Sequence, residues 1–434
     1  MKIVADFHIH SKYSRATSQK MNLEYLFVWA QKKGVNILGT GDFTHPVWFK
    51  ELKEKLEEAE DGLYKIKSSH LPPHTHLSSH TSYFHYFRFI LTGEISVIYS
   101  CGGKVRKIHH LVFVPNFETA EKINTQLSWV GNLEADGRPI LGMDSKELLK
   151  IVLESHPDSF LVPAHAWTPW FGIFGSKSGF DSLNECFGEL SKEIFSIETG
   201  LSSSPDMNWR LSFLDRITLI SNSDAHSPGK IAREANVFEI EKEKISFKEI
   251  KRILKEKDRK KFLYTIEFFP QEGKYYFDGH RSCEVCFSPE ETKKYNGVCP
   301  KCGRSLTLGV MNRIENLADR KKNFIPENAI PFKSLVPLEE IIKESLNQNS
   351  VSKIVEEEYQ KLIENFSNEL KILLEVSLED LKKIAHPMVV EGIKRVREGK
   401  VFIFPGFDGE YGKVSIFEEK KQEKKDEISQ ETLF

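Results

Sequence analysis

Histidine, aspartate and glutamate residues recur at the ends of the short apolar runs in residues 1 to about 240, and this pattern constrains the fold most strongly. Runs such as KIVADFHIH and VNILGTGDF alternate with helix-like segments such as LEYLFVWAQKKG, which has Asn22 as its expected N-cap and Gly34 as its stop. In a barrel of parallel strands, polar side chains at the strand ends converge on one mouth. We therefore expect an α/β fold with a distorted seven-stranded (β/α) barrel.

The first apolar run ends in a His-x-His pair, His8 and His10. Residues i and i+2 of a strand point to the same side, so both imidazoles can reach one ion. The further expected ligands, each near the end of a later run, are Asp42, Glu94, His110, His165, Asp224 and His226. Imidazoles mixed with carboxylates favour Zn, Mn, Fe or Mg. Two or three such ions can activate water and clamp a phosphate, which predicts a metal-dependent phosphoester hydrolase whose catalytic residues are these eight.

Four cysteines within twenty residues form a second motif. Cys283-x2-Cys286 and Cys299-x2-Cys302 are separated by twelve residues. Four thiolates at this spacing can hold a tetrahedral ion closed to water, so we expect a structural Zn²⁺. Two redox-active cysteine pairs are the alternative, and they fit poorly without thioredoxin-like surroundings. The spacing leaves open whether the module joins domains or contacts nucleic acid.

The length of 434 residues exceeds one hydrophobic core and predicts two or three domains. The expected parts are a hydrolase barrel over 1–270, a zinc module over 271–325, a helical domain over 326–417 and a disordered tail over 418–434. The net charge of −2 argues against a uniformly basic nucleic-acid coat, so DNA contact would need a local basic face. Neither a long apolar run nor a signal-peptide pattern occurs, which predicts a cytoplasmic protein without a membrane span. We expect a monomer.

The motifs HIH, GTGD, TGE, HHL, AHA and SDAH together resemble the polymerase-and-histidinol-phosphatase (PHP) hydrolase family. The resemblance implies a distorted seven-stranded barrel that holds up to three metal ions and hydrolyses phosphoesters. Asp42 aligns with a histidine ligand of that family and is therefore preferred to His45. His110 is preferred to His109 because the family's ligand directly precedes the apolar strand residues.

Longer segments resemble the endonuclease Q family over nearly the whole chain, namely TGDFTHPVW, AHAWTPWFGIFGSKSGFDSLNECFGE, CPKCGRSLTLGV and FPGFDGEYGKV. This resemblance implies a DNA-repair endonuclease that cleaves on the 5′ side of deaminated bases (uracil, hypoxanthine, xanthine) and at abasic sites. Damaged DNA is then the expected partner, with Zn²⁺, Mn²⁺ or Mg²⁺ as the active-site ions.

An enzyme that acts on a base within a duplex usually flips the nucleotide into a pocket with aromatic walls. Trp167, Trp170 and Phe171 closely follow His165 and, with Lys177, are the expected lesion- or DNA-binding residues. Packing of the same aromatic rings over the barrel mouth is the alternative interpretation.

The last five residues, QETLF, resemble a shortened sliding-clamp (PCNA) interaction motif. In that interpretation Gln430, Leu433 and Phe434 dock on the clamp behind a flexible charged tether.

Two other classes of function remain open at this stage. A PHP phosphomonoesterase that acts on a small phosphorylated metabolite would need neither the cysteine module nor the helical part. A non-catalytic DNA-binding or scaffold protein with a relic site conflicts with the near-complete set of ligands.

Overall fold

The computed structural model describes residues 1–71 and 86–418. Within them the strands, numbered β1 to β18 in chain order, are Lys2–Asp6, Ile37–Gly39, Leu56–Glu60, Leu63–Ile66, Arg88–Ile90, Thr92–Cys101, Lys104–Phe113, Ile140–Leu141, Phe160–Pro163, Ser196–Glu198, Thr218–Ile220, Ala235–Glu239, Phe262–Glu267, Asp278–His280, Val285–Phe287, Phe332–Ser334, Phe402–Phe404 and Lys413–Ser415. The helices, α1 to α14, are Leu23–Lys33, Pro46–Lys55, Phe117–Ser128, Ser145–Ser155, Leu183–Phe187, Pro205–Asn208, Phe247–Glu256, Pro289–Lys294, Val310–Leu317, Leu338–Ser345, Lys353–Phe366, Glu369–Leu374, Leu378–Ile384 and Pro387–Arg397. The predicted α/β class is confirmed.

The described strands form separate sheets, and no closed seven-stranded barrel is found among them. A mixed sheet has the order β16-β13-β12-β1-β2-β5-β4-β3, a second has the order β8-β6-β7-β9, and β10 pairs with β11 in parallel. The regular alternation of strand and helix breaks after helix α2, where, among the described residues, the five strands β3 to β7 follow one another without an intervening α-helix. Two antiparallel pairs lie in this stretch, β3 with β4 and β6 with β7. Gly102 and Gly103 make the turn between β6 and β7 with φ of 59° and 72°, a left-handed backbone that glycine adopts readily.

A buried aromatic core holds the strands that carry the candidate ligands. Phe7 packs edge to face against Phe113 with ring centroids 5.5 Å apart, and Phe113 stacks on Phe160 at 4.3 Å. Burying each of these side chains stabilises the fold by about 1.5–3 kcal/mol. Phe7 directly precedes His8, so this packing fixes the backbone from which the first ligand extends.

Helix α1 begins and ends as the sequence predicts. Asn22 accepts a hydrogen bond from the Tyr25 N–H, and Gly34 ends the helix with φ 89°. The carboxyl-terminal helices pack against this end, since the buried Lys33 pairs with the buried Glu369 of α12 at 2.7 Å. This contact ties the carboxyl-terminal helices to the part of the chain that carries His8 and His10.

The carboxyl-terminal helices α10 to α14 pack on one another, and α10 contacts both α11 and α14. They lie where the sequence predicts a helical domain. None of the helices in the described ranges combines the length and the apolar character needed to cross a membrane. The clamp-binding candidates Gln430, Leu433 and Phe434 lie outside the described residues.

Candidate active site

Six of the eight predicted ligands converge on one centre. Within residues 1–71 and 86–418, the ligand atoms of these six residues and of His109 form overlapping groups, and the atoms of each group lie within 4.8 Å of one another. The groups are His8–His10–Glu94, His10–Asp224–His226 and Glu94–His109–His165. Because His10 and Glu94 each belong to two groups, the arrangement can hold neighbouring divalent ions.

The inward-facing atoms of this centre have no hydrogen-bond partner among the described residues. His8 Nε2, His10 Nε2 and Asp224 Oδ1 are all buried in this state. His10 Nε2 nevertheless lies 3.0 Å from Asp224 Oδ1 and 3.2 Å from Glu94 Oε2, without the geometry of a hydrogen bond. Buried polar atoms without partners are costly, and a divalent cation is the partner that suits imidazole and carboxylate together. The donor set therefore fits the predicted metal.

Two carboxylates behind the centre hold the rings of its first two histidines. Glu198 Oε1 lies 3.0 Å from His8 Nδ1, and Asp42 Oδ1 lies 3.0 Å from His10 Nδ1. A carboxylate that accepts the Nδ1 proton leaves the Nε2 lone pair free to face an ion. Glu198 also accepts the backbone N–H of His165 at 2.8 Å. Sequence reasoning missed Glu198, although it ends the run IFSIETG as the predicted ligands end theirs.

Asp42 is a supporting residue, and its prediction as a ligand is corrected. Its other oxygen, Oδ2, accepts the Ser11 N–H at 2.6 Å and the Ser14 hydroxyl at 2.9 Å. Asp42 belongs to none of the converging groups. The turn formed by Gly41 and Asp42, with φ of 61° and 49°, carries the carboxylate behind the centre. His45, the alternative, caps helix α2.

His109, rather than the predicted His110, faces the centre. His109 Nδ1 lies 2.8 Å from Glu94 Oε1, whereas His110 Nε2 lies 2.9 Å from the hydroxyl of Ser145. Neighbouring residues of a strand point to opposite faces, so only one of the pair on β7 can reach the ions. Burial lowers the pKa of His109 to about 4, which leaves the neutral imidazole that metals bind.

Separate replacement of these two histidines tests the correction. We expect His109→Ala to lower both bound metal and phosphodiester hydrolysis, the latter about 100-fold, because a group at the centre is lost. His110→Ala should keep the metal and instead reduce the free energy of unfolding by about 1–3 kcal/mol, because it opens a buried space beside Ser145. Metal analysis by mass spectrometry and thermal melting measure the two effects. The opposite pattern would restore the assignment made from the sequence.

The backbone around the centre is strained where ligands are presented. His165 and Asp224 have φ of 28° and 48°, in the left-handed region that residues with a side chain seldom adopt. Such conformations cost on the order of 1–3 kcal/mol each and cluster at functional sites. Gly200 makes room for the first of them, since a Cβ at position 200 would lie 2.5 Å from His165 Cβ.

Glu94 is the central charge of the site. Its Oε1 lies 3.0 Å from His165 Nε2, and its Oε2 lies 3.0 Å from Nη1 of Arg138, a residue that sequence reasoning did not select. Burial raises the pKa of the Glu94 carboxyl, but His109, Arg138 and His8 outweigh this and hold the pKa well below its ordinary value. Glu94 therefore stays ionised and available to a cation.

A cavity of about 350 Å³ opens beside the centre. His109, His165 and Asp224 are among the residues that line it. The aromatic residues of its lining are Trp170, Phe171, Tyr275, Tyr276 and Tyr411. Trp170 and Tyr275 meet edge to face with ring centroids 5.6 Å apart. Such an apolar surface beside a polar centre can receive a planar ring.

The structure divides the predicted lesion-binding residues. Trp170 and Phe171 line the cavity. Trp167 is fully buried and donates its indole N–H to Asn208 Oδ1 at 2.7 Å, so it belongs to the core, as the packing alternative holds. Lys177 is exposed on the same loop and does not line the cavity. The cavity residue Tyr411 was missed, because it lies in a distant segment, FDGEYG, that no spacing links to His165.

The cysteine module brings together a second group of ligands. Its members, with all ligand atoms within 4.8 Å of one another, are His280, Cys283, Cys299 and Cys302. Cys286, the fourth predicted ligand, instead lies on β15 with its Sγ 4.0 Å from the carbonyl oxygen of Pro405. In the structure, His280 takes the place predicted for Cys286 as the fourth ligand. Strand β14 carries His280 to the group, and the spacing of the cysteines does not reveal this. Three cysteines and one histidine are also a common structural zinc set.

Residues 337–400, which contain all of the carboxyl-terminal helices α10 to α14, match the family described as the MJ0043 C-terminal domain. One relative is the MJ0043 protein of Methanocaldococcus jannaschii, which is 34% identical over 270 residues. The match covers 61% of this chain and 33% of that protein, so the chain spans about a third of the length of this curated relative.

Two solved structures resemble the chain over nearly its whole length. The lesion-specific endonuclease PfuEndoQ from Pyrococcus furiosus has a TM-score of 0.82 and 30% sequence identity, covering 96% of this chain and 96% of that chain. Endonuclease Q in complex with a 27-mer duplex substrate, with an abasic lesion at the active site, has a TM-score of 0.81 and 30% identity, covering 96% and 97%. Similarity that extends over both chains at this identity reflects a shared family and not the fold alone. The chain therefore belongs to the endonuclease Q family of DNA endonucleases.

Proposed function

We propose that this chain is a metal-dependent DNA-repair endonuclease that nicks DNA on the 5′ side of deaminated bases (uracil, hypoxanthine, xanthine) and at abasic sites. The observation that carries the proposal is the aromatic cavity beside the unpartnered ligand atoms of His8, His10 and Asp224. The structure of Endonuclease Q with a duplex that bears an abasic lesion supports DNA as the substrate.

The cavity suits a nucleotide turned out of the duplex. Its volume of about 350 Å³ is within the range of pockets that bury small ligands. Aromatic faces stack on any base, and extruding a damaged or mispaired base costs less than extruding a paired one. Trp170 and Tyr275 would thus hold a deaminated base while the neighbouring phosphate lies against the ligand centre.

We propose separate roles at that phosphate for the residues that would hold metal ions and for those that orient the histidine rings. The residues that would hold the ions are His8, His10, Glu94, His109, His165, Asp224 and His226. Two or three divalent ions bound there would activate a water and neutralise phosphate charge. Glu198 and Asp42 keep the two imidazoles of the His-x-His pair oriented through their Nδ1 atoms. In the cysteine module, the group of one histidine and three cysteines is proposed to hold a structural Zn²⁺.

Matched duplexes test the proposed substrate. Labelled strands that differ only in carrying thymine, uracil, hypoxanthine or an abasic site at one position are incubated with the protein and Mn²⁺, Mg²⁺ or Zn²⁺. We expect nicks 5′ of the lesions and an intact thymine strand. If all the duplexes survive equally while p-nitrophenyl phosphate is hydrolysed, the protein is a small-molecule phosphomonoesterase.

The end of the chain is proposed to bind a sliding clamp (PCNA). The proposal rests on the sequence, in which Gln430, Leu433 and Phe434 follow a charged run. Deleting residues 429–434 should remove co-elution with the clamp on gel filtration and leave basal nicking unchanged. Clamp binding by the truncated protein would show that another surface docks.

A further inference from the structure

A guanidinium reaches the active site from a loop that contains none of the ligand motifs. Arg138 Nη1 lies 3.0 Å from Glu94 Oε2, and the Arg138 side chain is 26% exposed. Glu94 is the carboxylate shared by two of the converging ligand groups. Arg138 is therefore a fixed positive charge within the same cluster as the proposed ions.

The loop that carries Arg138 is held against the centre. The N–H of Gly137 donates to the carbonyl of Tyr13 at 3.1 Å, and the Thr44 hydroxyl donates to the carbonyl of Gly137 at 3.3 Å. A Cβ at position 137 would lie 2.3 Å from Asp42 Oδ2, so this approach requires glycine. The guanidinium is thereby positioned before any substrate binds, which reduces the entropy lost on contact.

Most hydrogen-bond donors of the Arg138 guanidinium have no partner among the described residues. It carries five N–H groups, and among the described residues its hydrogen bond goes to Glu94 alone. The planar fork of a guanidinium matches the oxygens of a phosphate and can bind two of them through parallel N–H bonds. Its partial exposure leaves the remaining donors open to a ligand that enters the site.

We infer that Arg138 is a further catalytic residue, whose guanidinium binds the non-bridging oxygens of the scissile phosphate and stabilises the negative charge that develops there. The inference rests on the proposed phosphodiester cleavage. A purely structural role, in which Arg138 only neutralises Glu94, would instead make the metal centre depend on it.

Variants that change the charge and the shape of this side chain separate the two roles. Arg138→Gln removes the charge, and Arg138→Lys keeps it without the fork. Arg252→Gln is the matched control, because Arg252 also pairs with carboxylates but does so on the outer helix α7. We expect Arg138→Gln to keep the wild-type content of active-site metal and the wild-type melting temperature. Its single-turnover cleavage of a uracil duplex should be about 100- to 1,000-fold slower, with Arg138→Lys intermediate and the control unchanged.

Binding of inorganic phosphate to the metal-loaded protein, measured by calorimetry, gives a second readout. We expect Arg138→Gln to bind phosphate at least about 10-fold more weakly than wild type, since a charged contact is lost. Wild-type cleavage or phosphate affinity in Arg138→Gln, or loss of metal in step with activity, would overturn the inference. If the wild-type protein cuts no lesion duplex but still binds phosphate through Arg138, the proposed function fails and the inference stands for another phosphoester.

Discussion

Replacing Asp224 with asparagine should abolish cleavage while the protein stays folded. Asp224 Oδ1 is buried, lies 3.0 Å from His10 Nε2 and 3.8 Å from His8 Nε2, and has no hydrogen bond to a described residue. The asparagine side chain has no negative charge, whereas a divalent cation bound at this position would require one. We expect a loss on the order of 1,000-fold or more in single-turnover rate, equal to about 4 kcal/mol of transition-state stabilisation.

The fold should tolerate this change because asparagine keeps the shape of the side chain. It also accepts the left-handed backbone at position 224, where φ is 48°. Metal content, melting temperature and the affinity for a lesion duplex measured by fluorescence anisotropy complete the comparison. Asp380→Asn, on the surface of α13, removes the same charge far from the ligands and serves as the control. Unaltered cleavage by Asp224→Asn would remove Asp224 from the active site.

Replacing Cys299 with serine should release one zinc ion per chain and unfold the cysteine module. Cys299 is almost fully buried within the group of three cysteines and His280. Burial raises the pKa of its thiol, but the N–H groups of Lys301 and Cys302 outweigh this and lower it to about 6, so a thiolate is present at neutral pH. Structural zinc stabilises small modules by about 10–16 kcal/mol at neutral pH, and so little of the module should remain folded without it.

Cys286→Ser is the matched comparison, because the structure leaves this cysteine out of the ligand group. We expect it to keep the zinc, whereas His280→Asn should lose it. Zinc content by mass spectrometry and limited proteolysis of residues 278–309 report the two outcomes. Zinc loss in Cys286→Ser together with zinc retention in His280→Asn would restore the four-cysteine assignment made from the sequence.

The residues that the sequence identifies well are those whose role needs one residue type at one place on the backbone. A metal centre can be predicted from two pairs of residues before any fold is known. His8 and His10 follow one predicted strand, and Asp224 and His226 follow another. The Asn22 and Gly34 caps of α1 are equally local, because each acts on backbone groups within four residues. Such sequence patterns depend only on neighbouring residues, so they can be recognised without knowledge of the tertiary structure.

The errors arise where the outcome depends on direction or on a partner far along the chain. His109 and His110 are neighbours on β7, and their side chains point to opposite faces of the sheet. Which of the two contacts Glu94 depends on which face of β7 is turned towards the centre. The antiparallel pairs β3–β4 and β6–β7 also interrupt the alternation from which a closed barrel was expected. Glu198 was missed because it contacts the Nδ1 atom of the ligand His8 and not an ion. In the sequence, such a residue cannot be distinguished from any other buried carboxylate.

Long-range assembly explains two further differences. His280 joins the cysteines because β14 pairs with β15, and this register cannot be read from cysteine spacing. Tyr411 reaches the cavity from a segment more than two hundred residues beyond His165. Arg138 likewise approaches Glu94 only because Gly137 lets its loop lie against Asp42.

Metal reconstitution of single-turnover cleavage is the most direct test of the central claim, that ions held at the convergent histidines and carboxylates cut lesion-bearing DNA. Protein stripped by a chelator is titrated with Mn²⁺, Mg²⁺ or Zn²⁺ and mixed with a uracil duplex, and Asp224→Asn is treated in parallel. We expect no nick without metal, restoration of the nick 5′ of uracil as the wild-type centre fills, and no restoration in Asp224→Asn. Cleavage at the wild-type rate by the stripped protein, or full restoration in Asp224→Asn, would contradict the claim.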